Sequence, residues 1–120
     1  MADHNDLGNE GEEIAALHLL KTGYDILIRN YMYQKGEVDI IARKKDVIVI
    51  VEVKTRSTPE FGDPQDFLKP GQIQRLVATA NHFVENFVED DVDVRFDIIG
   101  IIKNKAGTKL EHIEDAFYHF

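Results

Sequence analysis

The 120-residue chain has no cysteine, which excludes disulfides, thiolate metal sites and cysteine nucleophiles together and agrees with a reducing compartment. Any metal must then be held by oxygen or imidazole. No apolar run approaches the roughly 20 residues a membrane-spanning helix needs. Met1-Ala2-Asp3-His4 also lacks the basic start of a leader, so a cytoplasmic protein without membrane contact is expected. Basic charge is scarce as well, with 14 Lys and Arg against 22 Asp and Glu and a formal net charge of −8. Nucleic-acid binders usually present a basic face, so this deficit weighs against such partners. Several of the acids are clustered, as in Asn9-Glu10-Gly11-Glu12-Glu13 and Glu89-Asp90-Asp91, and acids gathered in a metal site are neutralised by the cation. Internal repeats and low-complexity tracts are absent, and 43% hydrophobic with 30% charged residues is an ordinary globular composition. One domain over residues 1–120 is expected.

Proline is confined to one stretch. All three prolines fall between Thr55 and Gly71, which predicts an irregular connection there. Before it, residues 8 to about 22 place Ile14, Leu17 and Leu20 at helical spacing, with Glu10, Glu12 and Glu13 in the first turn and Gly23 just past the end. Residues 25–33 are branched and aromatic, predicting a strand. Gly36 opens Glu37-Val38-Asp39-Ile40-Ile41-Ala42, and a polar turn at Arg43 to Asp46 leads into the β-branched run from Val47 to Lys54. That pattern predicts a hairpin. Beyond the connection, residues 72 to about 88 carry Ile73, Leu76, Val77, Ala80, Phe83, Val84 and Phe87 as one helical stripe. Arg95 to Ile102 reads as a buried strand and residues 103–107 as a turn, while Leu110 to Phe120 fits either a strand or an irregular tail. The order predicts an α/β fold with a mixed central sheet flanked by helices.

The chemistry gathers on the hairpin. Side chains two apart on a strand share a face, so Glu52 and Lys54 point the same way about 6.6 Å apart. A turn with an even number of residues pairs positions whose numbers sum to an odd total, which sets Asp39 opposite an even-numbered residue and brings it towards Glu52. Glu37 shares that face nearer the strand end, where solvation alone can explain it. Two carboxylates and an ammonium on a β-branched hairpin are costly unless paired or coordinating metal. Oxygen ligands with open positions suit Mg²⁺, with Mn²⁺ as a substitute, and such a cation also takes a phosphate oxygen. In that arrangement Asp39 and Glu52 hold the metal, and Lys54 positions the attacking water or stabilises charge on the phosphate. Glu12 becomes a third carboxylate if its helix crosses the sheet.

Gly8-x₃-Glu12-x₂-Ala15, Gly23-Tyr24, Arg29-Asn30-Tyr31, Gly36-Glu37-Val38-Asp39, Glu52-Val53-Lys54-Thr55-Arg56, Phe61-Gly62 and Arg95-Phe96-Asp97 together resemble the YraN family of small bacterial proteins, over nearly the whole chain. That family is similar to Holliday-junction-resolvase-like members of the PD-(D/E)XK nuclease superfamily. The resemblance implies a restriction-endonuclease-like α-β-β-β-α-β core, metal ligation by Asp39 and Glu52, catalytic roles for Lys54 and Glu12, and DNA, branched or damaged, as substrate. Relatives often carry lysine near the start of the second helix, where this chain has Gln72; glutamine stands near there in other nucleases of the superfamily. Gln72 and Arg56 are the substrate-binding candidates, Arg56 because a guanidinium can grip phosphate with two hydrogen bonds. A pairing of Arg56 with Glu60 is the structural alternative. Arg95 and Asp97 read as a structural pair. The five histidines lack ligand spacing and read as boundary residues, and Tyr24, Tyr31, Tyr33 and Phe61 as core caps. Against a DNA endonuclease stand two other readings: a non-catalytic nucleic-acid-binding or protein-binding module on a nuclease scaffold, and a partner-dependent subunit, with a homodimer left open.

Overall fold

The computed structural model describes residues 4–58 and 68–117, and the side chains from residue 9 onward. Pro59, Glu60, Phe61, Gly62 and Pro64 lie outside the described residues, as do residues 118–120 with His119 and the side chain of His4. So the Arg56–Glu60 pairing is a reading on which the described residues are silent.

Among the described residues two helices and five strands follow one another as α1 (His4–Lys21), β1 (Asp25–Tyr33), β2 (Gly36–Lys44), β3 (Val47–Arg56), α2 (Pro70–Phe87), β4 (Asp93–Asn104) and β5 (Gly107–Ile113). The strands form one sheet in chain order, with β3 and β4 parallel and the other neighbours antiparallel. This is the mixed α/β architecture expected from the sequence. The parallel step is the one that needs a crossover, and α2 supplies it. The ambiguous C-terminal segment resolves into β5, which begins at Gly107 and ends at Ile113, short of an irregular stretch.

The alternation of β3 explains the layering. Val49 and Val51 face a cluster with Ala15, Ala16 and Leu19 of α1, whereas Ile48 and Ile50 face one with Leu76, Ala80 and Phe83 of α2. Each helix therefore covers one face of the sheet. Position by position, two expectations change. Leu17 and Leu20, read as the buried stripe of α1, are exposed, and Ala15, Ala16 and Leu19 turn inward instead. Small side chains let the helix lie close to the strands, a packing that large-residue periodicity does not reveal. Phe87, counted in the α2 stripe, is likewise exposed, sitting at the last turn of its helix.

Turn and cap positions also differ slightly from the sequence reading. The β2–β3 turn is two residues rather than four, since Lys44 pairs with Val47, and Lys45 takes a positive φ of 56°. α1 stops where expected, with the Tyr24 N–H donating to the Leu19 carbonyl at 2.9 Å across Gly23. β3 runs on to Arg56 and α2 begins at Pro70, so both ends of the expected irregular connection belong to regular elements, and its residues 59–67 lie outside the described residues. No helix among the described residues is long and apolar enough to cross a membrane.

Candidate active site

The β2–β3 ladder runs from Lys44↔Val47 to Ile40↔Val51, so the next pair in register is Asp39 and Glu52, as the parity of the hairpin requires. The ladder ends at that step. Instead of continuing, the Val53 N–H donates to Oδ2 of Asp39 at 2.8 Å. The alternation of β2 resets at the same point, because Val38 packs with the α2 cluster while Ile40 and Ala42 pack with the α1 cluster. On β1 the corresponding irregularity is Asn30, in the left-handed region at φ 56° between the pairs Arg29↔Ile40 and Tyr31↔Val38. A non-glycine residue held there marks strain that the surrounding structure sustains. The strands splay at Asp39, and the gap opens towards α2.

Asp39, Glu52 and Lys54 line one cleft of about 360 Å³, together with Lys35, Gly36, Glu37, Val53, Gln72, Arg75 and Leu76. The hairpin thus brings together the three residues the sequence singled out, and α2 adds Gln72, whose amide donates to Oε2 of Glu52 at 3.0 Å. Gln72 acts on the carboxylate directly, as a positioning group. Glu52 is only 8% exposed. Its burial, followed by its hydrogen bond to Asp39 and the charge of Asp39, pushes its carboxyl up to about 9, against the opposing influences of Lys54 and Gln72. Burial and the neighbouring carboxylate thus favour the protonated form of Glu52 over two full charges side by side. Two close oxygen donors that retain a proton to relieve their repulsion are chemically matched to a hard cation, which would take the proton's place. Among the described residues no group of three His, Asp or Glu side chains is arranged to hold a metal, so water or substrate oxygens would complete its coordination.

Glu12 reaches the neighbourhood from the other side of the sheet and does not line the cleft. Oε1 of Glu12 lies 3.5 Å from the Arg29 guanidinium, which also binds Glu13 at 2.6 Å. Burial and then the charge of Asp39 raise the pKa of Glu12, with Arg29 and Asn30 opposing. The carboxylate is electrostatically part of the site while being held by β1. Helix α1 comes this close because Gly11 faces Thr55, where a Cβ would overlap the threonine Oγ1. Gly36 performs the same service for α2: a Cβ there would overlap Oγ1 of Thr79 and stand 2.8 Å from the Arg75 carbonyl oxygen. A close glycine–threonine contact thus flanks the splayed strands on each face.

Arg56 is not among the residues lining the cleft, and its guanidinium donates to the Thr55 carbonyl at 3.2 Å. Lys35 and Arg75 line it without having been singled out from the sequence. Arg75 lies one helical turn from Gln72 on the same face of α2, a spacing that would have found it once Gln72 was chosen. Lys35 had no comparable signal, since it sits in the two-residue β1–β2 turn. Away from the cleft, Arg95 and Asp97 form the expected pair at 2.8 Å. Three of the five histidines have specific partners: His112 bonds Asp97 at 2.7 Å and His18 at 3.0 Å, while His82 bonds the Tyr31 hydroxyl and stacks on Tyr33.

Fold and cleft together define a small α/β protein with a paired-carboxylate site at a break in its central hairpin. The chain belongs to uncharacterised protein family UPF0102, whose profile matches residues 11–101, the stretch from the helix residue at the Thr55 contact to the middle of β4. It is 63% identical over 120 residues to a UPF0102 protein of Christiangramia forsetii, covering all of both chains. It is 52% identical over 123 residues to a UPF0102 protein of Flavobacterium johnsoniae, again over the whole of each chain. A UPF0102 protein of Bacteroides thetaiotaomicron is 42% identical over 118 residues, covering 98% of this chain and 97% of the relative.

Proposed function

We propose that this protein is a divalent-metal-dependent nuclease that hydrolyses phosphodiester bonds in DNA, with Mg²⁺ as the resident cation and Mn²⁺ as a substitute. The observation that carries the reading is the meeting of Asp39, Glu52 and Lys54 in one cleft at the break in the β2–β3 ladder. Asp39 and Glu52 would hold the cation, which supplies Lewis-acid polarisation of the scissile phosphate and a bound water of lowered pKa. Gln72 fixes the direction of the Glu52 carboxylate through its amide. The Val53 N–H does the same for Asp39. Lys54 places a positive charge beside Glu52, where it orients the nucleophilic water or offsets charge developing on the phosphate. Glu12, held by Arg29, tunes the field at Asp39 from the opposite face. A non-catalytic module or partner-dependent subunit remains the competing reading, favoured by the net charge of −8.

The test is cleavage of branched, nicked, duplex and single-stranded DNA, with RNA alongside, in Mg²⁺ or Mn²⁺. Removing one metal carboxylate costs several kcal/mol, so Asp39→Ala is expected to lose roughly 10³-fold in turnover. Metal-independent binding without cleavage of any substrate, or full activity of Asp39→Ala, would sink the proposal.

A further inference from the structure

Four of the fourteen cations are held in ion pairs among the described residues. Arg29 is tied to Glu12 and Glu13, Arg43 to Asp46 and Asp90, Arg95 to Asp97 and Glu114, and Lys103 to Glu10. Lys35, Lys54 and Arg75 have no carboxylate at ion-pair distance among the described residues, and all three line the cleft of Asp39 and Glu52. Lys21, Lys44, Lys45, Lys69, Lys105 and Lys109 are likewise outside any ion pair among the described residues but do not line the cleft, so position at the cleft is what sets Lys35, Lys54 and Arg75 apart. Lys54 shares its strand face with Glu52 and belongs to the reacting centre. Lys35 and Arg75 stand apart from it, on the β1–β2 turn and on α2.

The fold brings those two together by a specific contact. Gly36 abuts the backbone of Arg75, whose carbonyl oxygen also accepts the Thr79 hydroxyl at 2.7 Å. Lys35 is the residue immediately before Gly36, so the contact that seats α2 on the hairpin brings a lysine and an arginine that both line the cleft close together in the fold. The arginine end group lies over the start of its helix, where a Cβ at Gly71 would be 3.5 Å from Nη1. An ammonium and a guanidinium, both free to accept an anion, border a pocket whose other functional groups are the reacting ones.

Resting on the nuclease reading of the same cleft, we infer that Lys35 and Arg75 form a phosphate clamp that binds the phosphodiester backbone of the polynucleotide beside the bond to be cut. The clamp accounts for how a protein of net charge −8 holds a polyanion: two basic groups stand at the site itself. Neither residue takes part in bond breaking. Both act on substrate binding.

Lys35→Ala, Arg75→Ala, the double variant, Arg75→Lys and the remote control Arg43→Ala would be compared with wild type. Kd for a labelled oligonucleotide comes from fluorescence anisotropy across a salt series, KM and kcat from cleavage, and Mn²⁺ affinity from calorimetry without nucleic acid. Each alanine variant is expected to weaken Kd and raise KM about tenfold, and to lower the slope of log K against log salt by about 0.7–0.9 per lost phosphate contact. Mn²⁺ affinity and kcat stay near wild type, Arg75→Lys keeps the salt slope, and Arg43→Ala changes nothing. Unchanged Kd and slope in both alanine variants, or an equal loss in Arg43→Ala, overturns the clamp while leaving the nuclease reading intact. Wild-type binding that weakens in the variants but never leads to cleavage supports the clamp and overturns the nuclease reading. Wild type that binds no oligonucleotide overturns both.

Discussion

Two buried carboxyl groups, Glu52 on β3 and Asp97 on β4, lie one register step apart on adjacent parallel strands and meet opposite fates. Asp97, fully buried, accepts two hydrogen bonds from Arg95 at 2.8 Å, one from the Asp115 N–H at 3.0 Å, and pairs with His112 at 2.7 Å. Burial alone would raise its pKa, but His112, Arg95 and the Asp115 amide together hold it below the ordinary aspartate value. Arg95 in turn donates to the Tyr24 hydroxyl at 2.6 Å, and His112 meets His18, so the charge is shared out through a network joining α1, β4 and β5. Glu52 receives one neutral donor, Gln72, and faces a second carboxylate. The lesson is one of completeness. A buried acid whose partners all lie within the chain is part of the scaffold, and one left with an acidic neighbour and an open cleft has a partner still to come.

Truncation should show the largest contrast. Asp97→Ala removes the common partner of the half-buried Arg95 guanidinium and of His112 and is expected to cost about 2–3 kcal/mol of folding stability, seen as a lower urea midpoint with little change in slope. A midpoint that hardly moves would mean that the network does not hold α1, β4 and β5 together. Glu52→Gln should have the opposite sign: in metal-free buffer at neutral pH it is expected to stabilise the fold by about 1–3 kcal/mol, since the amide needs no proton to coexist with Asp39. The same change abolishes metal-dependent turnover, so a destabilised yet active variant would contradict the assignment.

The pH dependences of the two groups should also run in opposite directions. Glu52, raised when folded, stabilises the protein fully below the unfolded glutamate value near 4.3, and that contribution is lost as pH rises towards about 9. Metal-free wild type should therefore melt at progressively lower temperature from about pH 5 to 9, with a flatter profile in Glu52→Gln. Asp97, lowered when folded, contributes above the unfolded aspartate value near 3.9, and its contribution disappears as pH falls below that. Thermal scans of wild type and Asp97→Asn on either side of that range should separate the two slopes. The smallest effect is expected of Arg43→Ala, whose partners Asp46 and Asp90 are exposed and screened by solvent; its melting temperature should match wild type within error.

What the sequence revealed of this contrast follows from distance along the chain. Asp39, Glu52 and Lys54 sit on one hairpin, where strand parity alone brings them together, and Gln72 follows at the start of the next helix. Asp97, His112 and His18 are also a unit, but His18 and His112 are separated by 94 positions, and no local periodicity links an α1 histidine to a β5 one. Strands β2 and β3 were legible because their β-branched residues are continuous, and α2 because its stripe is made of large side chains. The inward face of α1 was misread for the converse reason, since Gly11, Ala15 and Ala16 carry little hydrophobic signal while determining how closely the helix lies. The break at Asp39 left no trace in composition; it becomes visible only in Asn30 and in the reset of alternation between Val38 and Ile40.

That break has a practical consequence. The amide proton of Val53 rests on a side-chain oxygen of Asp39 rather than on a strand carbonyl, which makes one backbone nitrogen an internal spectroscopic probe of the site. Its resonance and its exchange with solvent are expected to follow the state of Asp39, reporting a bound cation without nucleic acid and without turnover.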